Sequence, residues 1–168
     1  MKKLLYLVHR LPFPPNKGDK ISSNNMLNYF CARWRVHLGT FIDDPDDWQY
    51  ADVVRGKCED SCIVDLPKSK RLTGSFRGLM TGQALSLSYY GNNELHEWVR
   101  ACIARECPDA VLIFSGVMGR FVKDRLPAHI PVVFDAEDVD SEKWRSYAKS
   151  KRWPLSWLYK READKLLA

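Results

Sequence analysis

Apolar positions along the chain follow two rhythms. Lys3 to Val8 (KLLYLV) is an almost unbroken apolar run, the pattern of a strand buried on both faces of a parallel sheet. Val36 to Ile42 (VHLGTFI), Ile63 to Leu66, Ala110 to Phe114 (AVLIF) and Pro131 to Phe134 read as further strands. Between them the spacing becomes helical. Ile21 to Trp34 places Ile21, Met26, Leu27, Phe30, Cys31 and Trp34 at helical intervals, and Asn93 to Glu106 gathers Leu95, Trp98, Val99, Cys102 and Ile103 on one face. Pro45 to Lys57 reads as a helix whose opening, DDPDDW, has acidic residues where the helix dipole favours them. Arg71 to Gly82 reads as a basic helix with a glycine stop, and Leu85 to Tyr90 as extended or irregular. Val117 to Leu126, Val139 to Ser150 and Pro154 to Ala168 complete the helices, with Pro154 as a first-turn proline.

Strands alternating with helices predict βαβ units. The expected class is α/β, a Rossmann-like doubly wound parallel sheet in three layers (α/β/α) with strand order 3-2-1-4-5. At 168 residues and 45% hydrophobic content, residues 1–168 fit one domain with a substantial core. The alternation asks for a sixth strand after the charged stretch LYKREADKLLA, so the chain reads as a fragment or as a domain lacking its sixth strand.

Charge alters this picture little. A net +5 from 26 basic and 21 acidic side chains, largely interleaved, does not imply nucleic-acid binding. Basic residues do gather at Lys68 to Arg77 and Lys143 to Arg161. Five cysteines without a secretory leader point to a reducing, cytoplasmic setting. Cys58, Cys62, Cys102 and Cys107 lack the tight zinc-ribbon spacing, so they read as buried free thiols and no metal is expected. No run is long enough to span a membrane.

The candidate chemistry lies where the first strand hands over to a helix. Pro14, Pro15, Asn16, Lys17, Gly18, Asp19 and Lys20 form a loop feeding a helix N-terminus, a place where α/β sheets hold anions. Ligands in such sheets sit beyond the carboxyl ends of the strands. There the loop His9 to Lys20 should meet Asp43-Asp44, Ser115-Gly116 and Asp135 to Asp138. Arg10, Lys17 and Lys20 suit phosphate oxygens, and Asp19, Glu137 and Asp138 suit hydroxyls, a combination matching a phosphorylated, polyhydroxylated ligand such as a sugar nucleotide. Each has a plainer reading. Lys17, Asp19 and Lys20 make a charged first turn, Ser115 and Asp138 suit helix caps, and His9 and His37 suit structural roles. Neither G-x-G-x-x-G nor a P-loop is present.

P-P-x-x-G before a helix, then A-R-x-x-V-H-x-x-T (Ala32, Arg33, Val36, His37, Thr40), resembles the N-terminal domain of glycosyltransferase family 4. The exosortase (PEP-CTERM)-associated sugar transferase group, linked to bacterial exopolysaccharide clusters, is a closer likeness. It is similar in LVHRLPFPPNKGDKI, HLGTFIDDPDDW, LSLSYY, DVDSEKWRSYA and WPLSWLYKRE, covering essentially the whole chain.

The resemblance implies the N-terminal, acceptor-side half of a two-domain GT-B enzyme. Such an enzyme is retaining, needs no metal, and moves a sugar from a nucleotide-sugar to a glycan or lipid-linked acceptor. It also implies that a C-terminal domain outside this chain holds most of the donor and carries E-x7-E, so that this chain alone is inactive. By position, Lys17, Gly18 and Lys20 would approach the donor diphosphate, with Lys17 standing where the family has a glycine. Arg10, Asn16, Ser115 and Gly116 would face the acceptor. Asp19, Glu137 and Asp138 are the catalytic candidates, Glu137 occupying the place of a family histidine. Trp144, Tyr147, Trp153, Trp157 and Tyr159, interleaved with basic residues, suit either the inner membrane surface or packing within the protein. Leu72 to Met80 is a second candidate for a membrane-facing edge. The rival reading is a noncatalytic α/β module that binds a phosphorylated metabolite or a partner protein.

Overall fold

A computed structural model describes residues 1–67, 89–123, 126–136 and 140–166. The chain divides into two compact units, Met1–Pro67 with Asn92–Asp135, and Lys68–Gly91 with Ala136–Ala168.

The first unit is built on five strands: β1 (Lys3–Val8), β2 (Arg35–Ile42), β3 (Asp60–Asp65), β4 (Ala110–Phe114) and β5 (Val132–Asp135). They form one sheet in the order β3-β2-β1-β4-β5, with every pairing parallel. The predicted Rossmann-like arrangement is therefore present. β1 is its centre because nearly every residue in it is apolar, and Leu4 to Val8 are all buried.

Alternation along β1 sorts the core into two layers. Leu4, Tyr6 and Val8 face a cluster with Leu27 of α1 (Gly18–Cys31) and with Ala51 and Val54 of α2 (Ala51–Arg55). On the opposite face Leu7 lies beside Gly39, against Leu95 and Trp98 of α3 (Asn93–Glu106). α3 starts on an Asn92 cap, whose side-chain oxygen accepts from the Leu95 amide at 3.0 Å. It stops at Cys107, which takes the left-handed conformation (φ 48) just before Pro108.

Two expected helices differ in form. Pro45 to Lys57 divides into a 3-10 turn, Pro45–Tyr50, and the short α2. Val117 to Leu126 is instead a 3-10 turn, Gly116–Phe121, where two glycines weaken the helix while Val117, Met118 and Phe121 stay buried. Arg71 to Gly82 and residues 85–88 lie outside the described residues.

The second unit contains α4 (Asp140–Ser150) and α5 (Leu155–Leu166), two helices in contact through their aromatic residues. Trp144 and Tyr147 meet Tyr159 at ring-centroid distances of 5.4 and 6.1 Å. Among the described residues, no helix is long and apolar enough to cross a membrane.

Candidate functional site

β1 and β4 are adjacent although β1 leads to β2, so the strand order reverses between these two parallel strands, and their carboxyl ends mark the switch point where such sheets hold ligands. Beyond Val8 the chain keeps one more sheet-like contact, from the Leu11 amide to the Phe41 carbonyl at 2.8 Å. It then turns through the prolines, where the Asn16 amide donates to the Pro14 carbonyl at 2.8 Å. Phe13 anchors this turn edge-on against Tyr50, at 5.4 Å.

α1 begins with Lys17 as its cap, in extended conformation (φ −137, ψ 156) and with no side-chain cap hydrogen bond. A lysine cannot accept from the first-turn amides, so it leaves their positive end exposed to a ligand. Asn16, Lys17 and Gly18 are all exposed. A Cβ built on Gly18 would meet nothing within 4 Å. Neither internal packing nor a left-handed backbone accounts for this glycine.

The other charges of the loop turn toward the protein. Arg10 bridges two carboxylates, with Nη1 to Asp19 Oδ2 at 2.9 Å and Nε to Asp43 Oδ2 at 2.8 Å. His9 Nε2 reaches the same Asp19 oxygen at 3.5 Å, and its ring stacks on Phe114 at 6.1 Å. The His9 hydrogen bond, helped by Arg10 against a burial penalty, holds Asp19 well below the usual carboxylate range. Such a carboxylate accepts hydrogen bonds but is a poor proton acceptor near neutral pH. The geometry therefore suits Asp19 to orienting a hydroxyl rather than deprotonating it.

Lys20 is 1% exposed, and its ammonium is paired with Asp47 in the 3-10 turn after β2. The sequence expectation that Lys20 faces a phosphate is corrected here. Its place on the inward stripe with Ser23, Asn24 and Leu27 carries it under the helix. Asp47 was the missed partner, and the helical interval from Lys20 to Leu27 was the available signal.

Ser115 follows β4 in the left-handed half of backbone space (φ 80, ψ 138). Its amide donates to the Asp135 carbonyl at 3.0 Å, and its carbonyl accepts from Met118 at 3.1 Å. Its hydroxyl makes no cap bond, so the cap reading accounts for its backbone and not its side chain. Holding a non-glycine residue there costs about 1–3 kcal/mol and is typical of ligand-facing turns. Gly116 opens the 3-10 turn that follows.

Asp44 caps the turn after β2, accepting from the Asp46 amide at 3.4 Å. Glu137 and Asp138 lie outside the described residues. Among the described residues, no three His, Cys, Asp or Glu side chains cluster to hold a metal ion. The switch point thus offers an exposed lysine, an open glycine and a helix N-terminus beside the side-chain contacts that join His9, Asp19, Arg10 and Asp43.

No family model, curated protein or solved structure matches the chain.

Proposed function

We propose that the chain is the acceptor-side, N-terminal half of a retaining GT-B glycosyltransferase serving exopolysaccharide synthesis. It would transfer a sugar from a nucleotide-sugar to a glycan or lipid-linked acceptor. The reading rests on the sequence resemblance and on one structural observation, the open approach to Gly18 beside exposed Lys17 at the uncapped start of α1. The α1 amides and the Lys17 ammonium would meet the developing charge on the leaving diphosphate, while a second domain holds most of the nucleotide. His9, and then Arg10, keep Asp19 ionised, so Asp19 orients an acceptor hydroxyl. Asn16, Ser115 and Gly116 line the acceptor side, and Glu137 and Asp138 remain candidates for the proton transfer.

Ligand-observed NMR and calorimetry with a nucleotide-sugar, its diphosphate and a saccharide panel test this. Gly18→Leu and Lys17→Ala should each weaken diphosphate binding about tenfold, the scale of one charge-assisted hydrogen bond. Neither variant should lower the melting temperature, since Lys17 and Gly18 are exposed and a Cβ on Gly18 meets nothing within 4 Å. Unaltered affinity in both variants overturns the site. Diphosphate binding that responds to both, without sugar transfer by the complete enzyme, favours the phosphometabolite-binding module instead.

A further inference from the structure

We infer that the tip of the α4–α5 hairpin is a docking surface for an anionic lipid bilayer. The aromatic residues of this unit divide into two sets. Trp144, Tyr147 and Tyr159 contact one another and join the two helices. Trp153 and Trp157 stand apart from that cluster, 81% and 54% exposed, with Leu155 between them 46% exposed. Every residue from Lys149 to Leu155 is exposed.

The hairpin forms this tip because the connection is short and α5 is closed onto it. The Ser156 amide donates to the Arg152 carbonyl, and the Leu158 amide to the Pro154 carbonyl, each at 3.1 Å. Trp153 is thereby held at the turn itself, with Trp157 about one helical turn beyond.

Charge identifies the occupant. From Trp144 to Arg161 the chain carries six Lys or Arg and no Asp or Glu. Lys149, Lys151, Arg152 and Lys160 have no ion-pair partner among the described residues. A protein partner would need an acidic pocket shaped to two indoles. A bilayer with anionic headgroups offers both halves at once, negative charge for the ammonium and guanidinium groups and an interfacial layer that takes amphipathic indole rings. Lysine and arginine stems can lie along the acyl boundary while their heads stay in the headgroup region. With no described helix long and apolar enough to span, the contact is a surface one.

This surface goes beyond the sugar-transfer reading and does not depend on it. The whole chain is tested by flotation with phosphatidylcholine vesicles, with and without about a quarter phosphatidylglycerol. The wild type should float with the anionic vesicles and not with the neutral ones, and release as salt rises past a few tenths molar, about where screening shortens to a few ångströms. Trp153→Ser with Trp157→Ser should weaken partition at least tenfold. Each of Lys151→Ser and Arg152→Ser should weaken it about fivefold, the value of one basic residue at a charged surface. Circular dichroism should show all variants folded, because the altered side chains are exposed.

Equal binding of folded variants and wild type overturns the proposal, as does equal flotation with neutral and anionic vesicles. Absence of flotation together with a dimer lost in Trp153→Ser overturns it in favour of a second copy of the chain. Lys17→Ala should float like the wild type, which separates failure of this surface from failure of the crevice.

Discussion

At the scale of single residues, the site is governed by how its charges are consumed. Of the cations near the switch point, Lys20 is neutralised in the core by Asp47, and Arg10 is shared between Asp19 and Asp43. Lys17 alone among the sequence-chosen cations is exposed. Asp19 gives this arrangement a pH signature. Its folded pKa is depressed, mainly by His9 and then Arg10, so the unfolded chain holds the proton more tightly. Its contribution is complete above the ordinary aspartate range near about 4 and is lost as pH falls from there through the folded value. Asp19→Asn should lower stability by about 1 kcal/mol at about pH 7, partial exposure screening the rest. The gap to wild type should start to narrow below about pH 4 and go on narrowing as pH falls toward the folded value, as urea midpoints across pH would show. A constant gap would mean the pairing does not form. His9, Arg10 and Asp19 are all visible in the sequence, but their meeting depends on the turn through Pro12 to Pro15. No local rule states that His9 and Arg10, neighbours at a strand end, will both reach the same oxygen of Asp19.

At the scale of elements, apolar rhythm sufficed wherever an element is buried along its length. β1, β4 and α3 occupy the predicted residues because two five-residue apolar runs, the first led by Lys3, and a capped amphipathic face each have one packing solution. α1 begins earlier than Ile21 because its first residues, Gly18, Asp19 and Lys20, are not apolar and contribute nothing to the apolar pattern. The Gly116–Phe121 turn went astray for the opposite reason. Its buried Val117, Met118 and Phe121 mimic a helical face, while the glycines that shorten it carry no periodic signal. Gly39 shows what close contact between elements demands. A Cβ there would lie 2.7 Å from Leu7 Cδ2, 3.0 Å from Leu95 Cδ1 and 3.3 Å from Trp98 Cζ3. Gly39→Ala should therefore cost about 1–3 kcal/mol by pushing α3 off β2, against a gain for most strand glycines. Equilibrium urea unfolding measures it, and a stabilised variant would show that α3 does not pack here.

At the scale of the whole molecule, the cysteines report how the layers close. Cys62 on β3 and Cys102 on α3 are buried, and burial pushes both thiols up to about 12. Cys107, past the end of α3, is exposed. Cys31 is drawn down by a hydrogen bond with Cys58, with Lys57 adding to the effect, and the same contact pushes Cys58 up. In the native protein at about pH 7.5, Cys107 and Cys31 should alkylate first. Cys62 and Cys102 should react at least a hundredfold more slowly, until urea exposes them. Mass spectrometry of the modified peptides reads the order. Rapid native labelling of Cys102 would contradict the packing of α3 on the sheet. The indole-bearing hairpin tip belongs to this scale too, since its exposure follows from which aromatics the other helix covers.

What the residues determined alone is the alternation of buried strands and amphipathic helices, and with it the parallel sheet and the order β3-β2-β1-β4-β5. Those follow from solvent exclusion, which acts on each segment's own apolar pattern. Only the tertiary structure decided which charges remain available. Whether Lys20 faces a ligand or Asp47, and whether Trp153 is covered like Trp144 or left at a tip, depends on partners distant in sequence. Electrostatic pairing and ring packing act through distances that only the folded backbone sets.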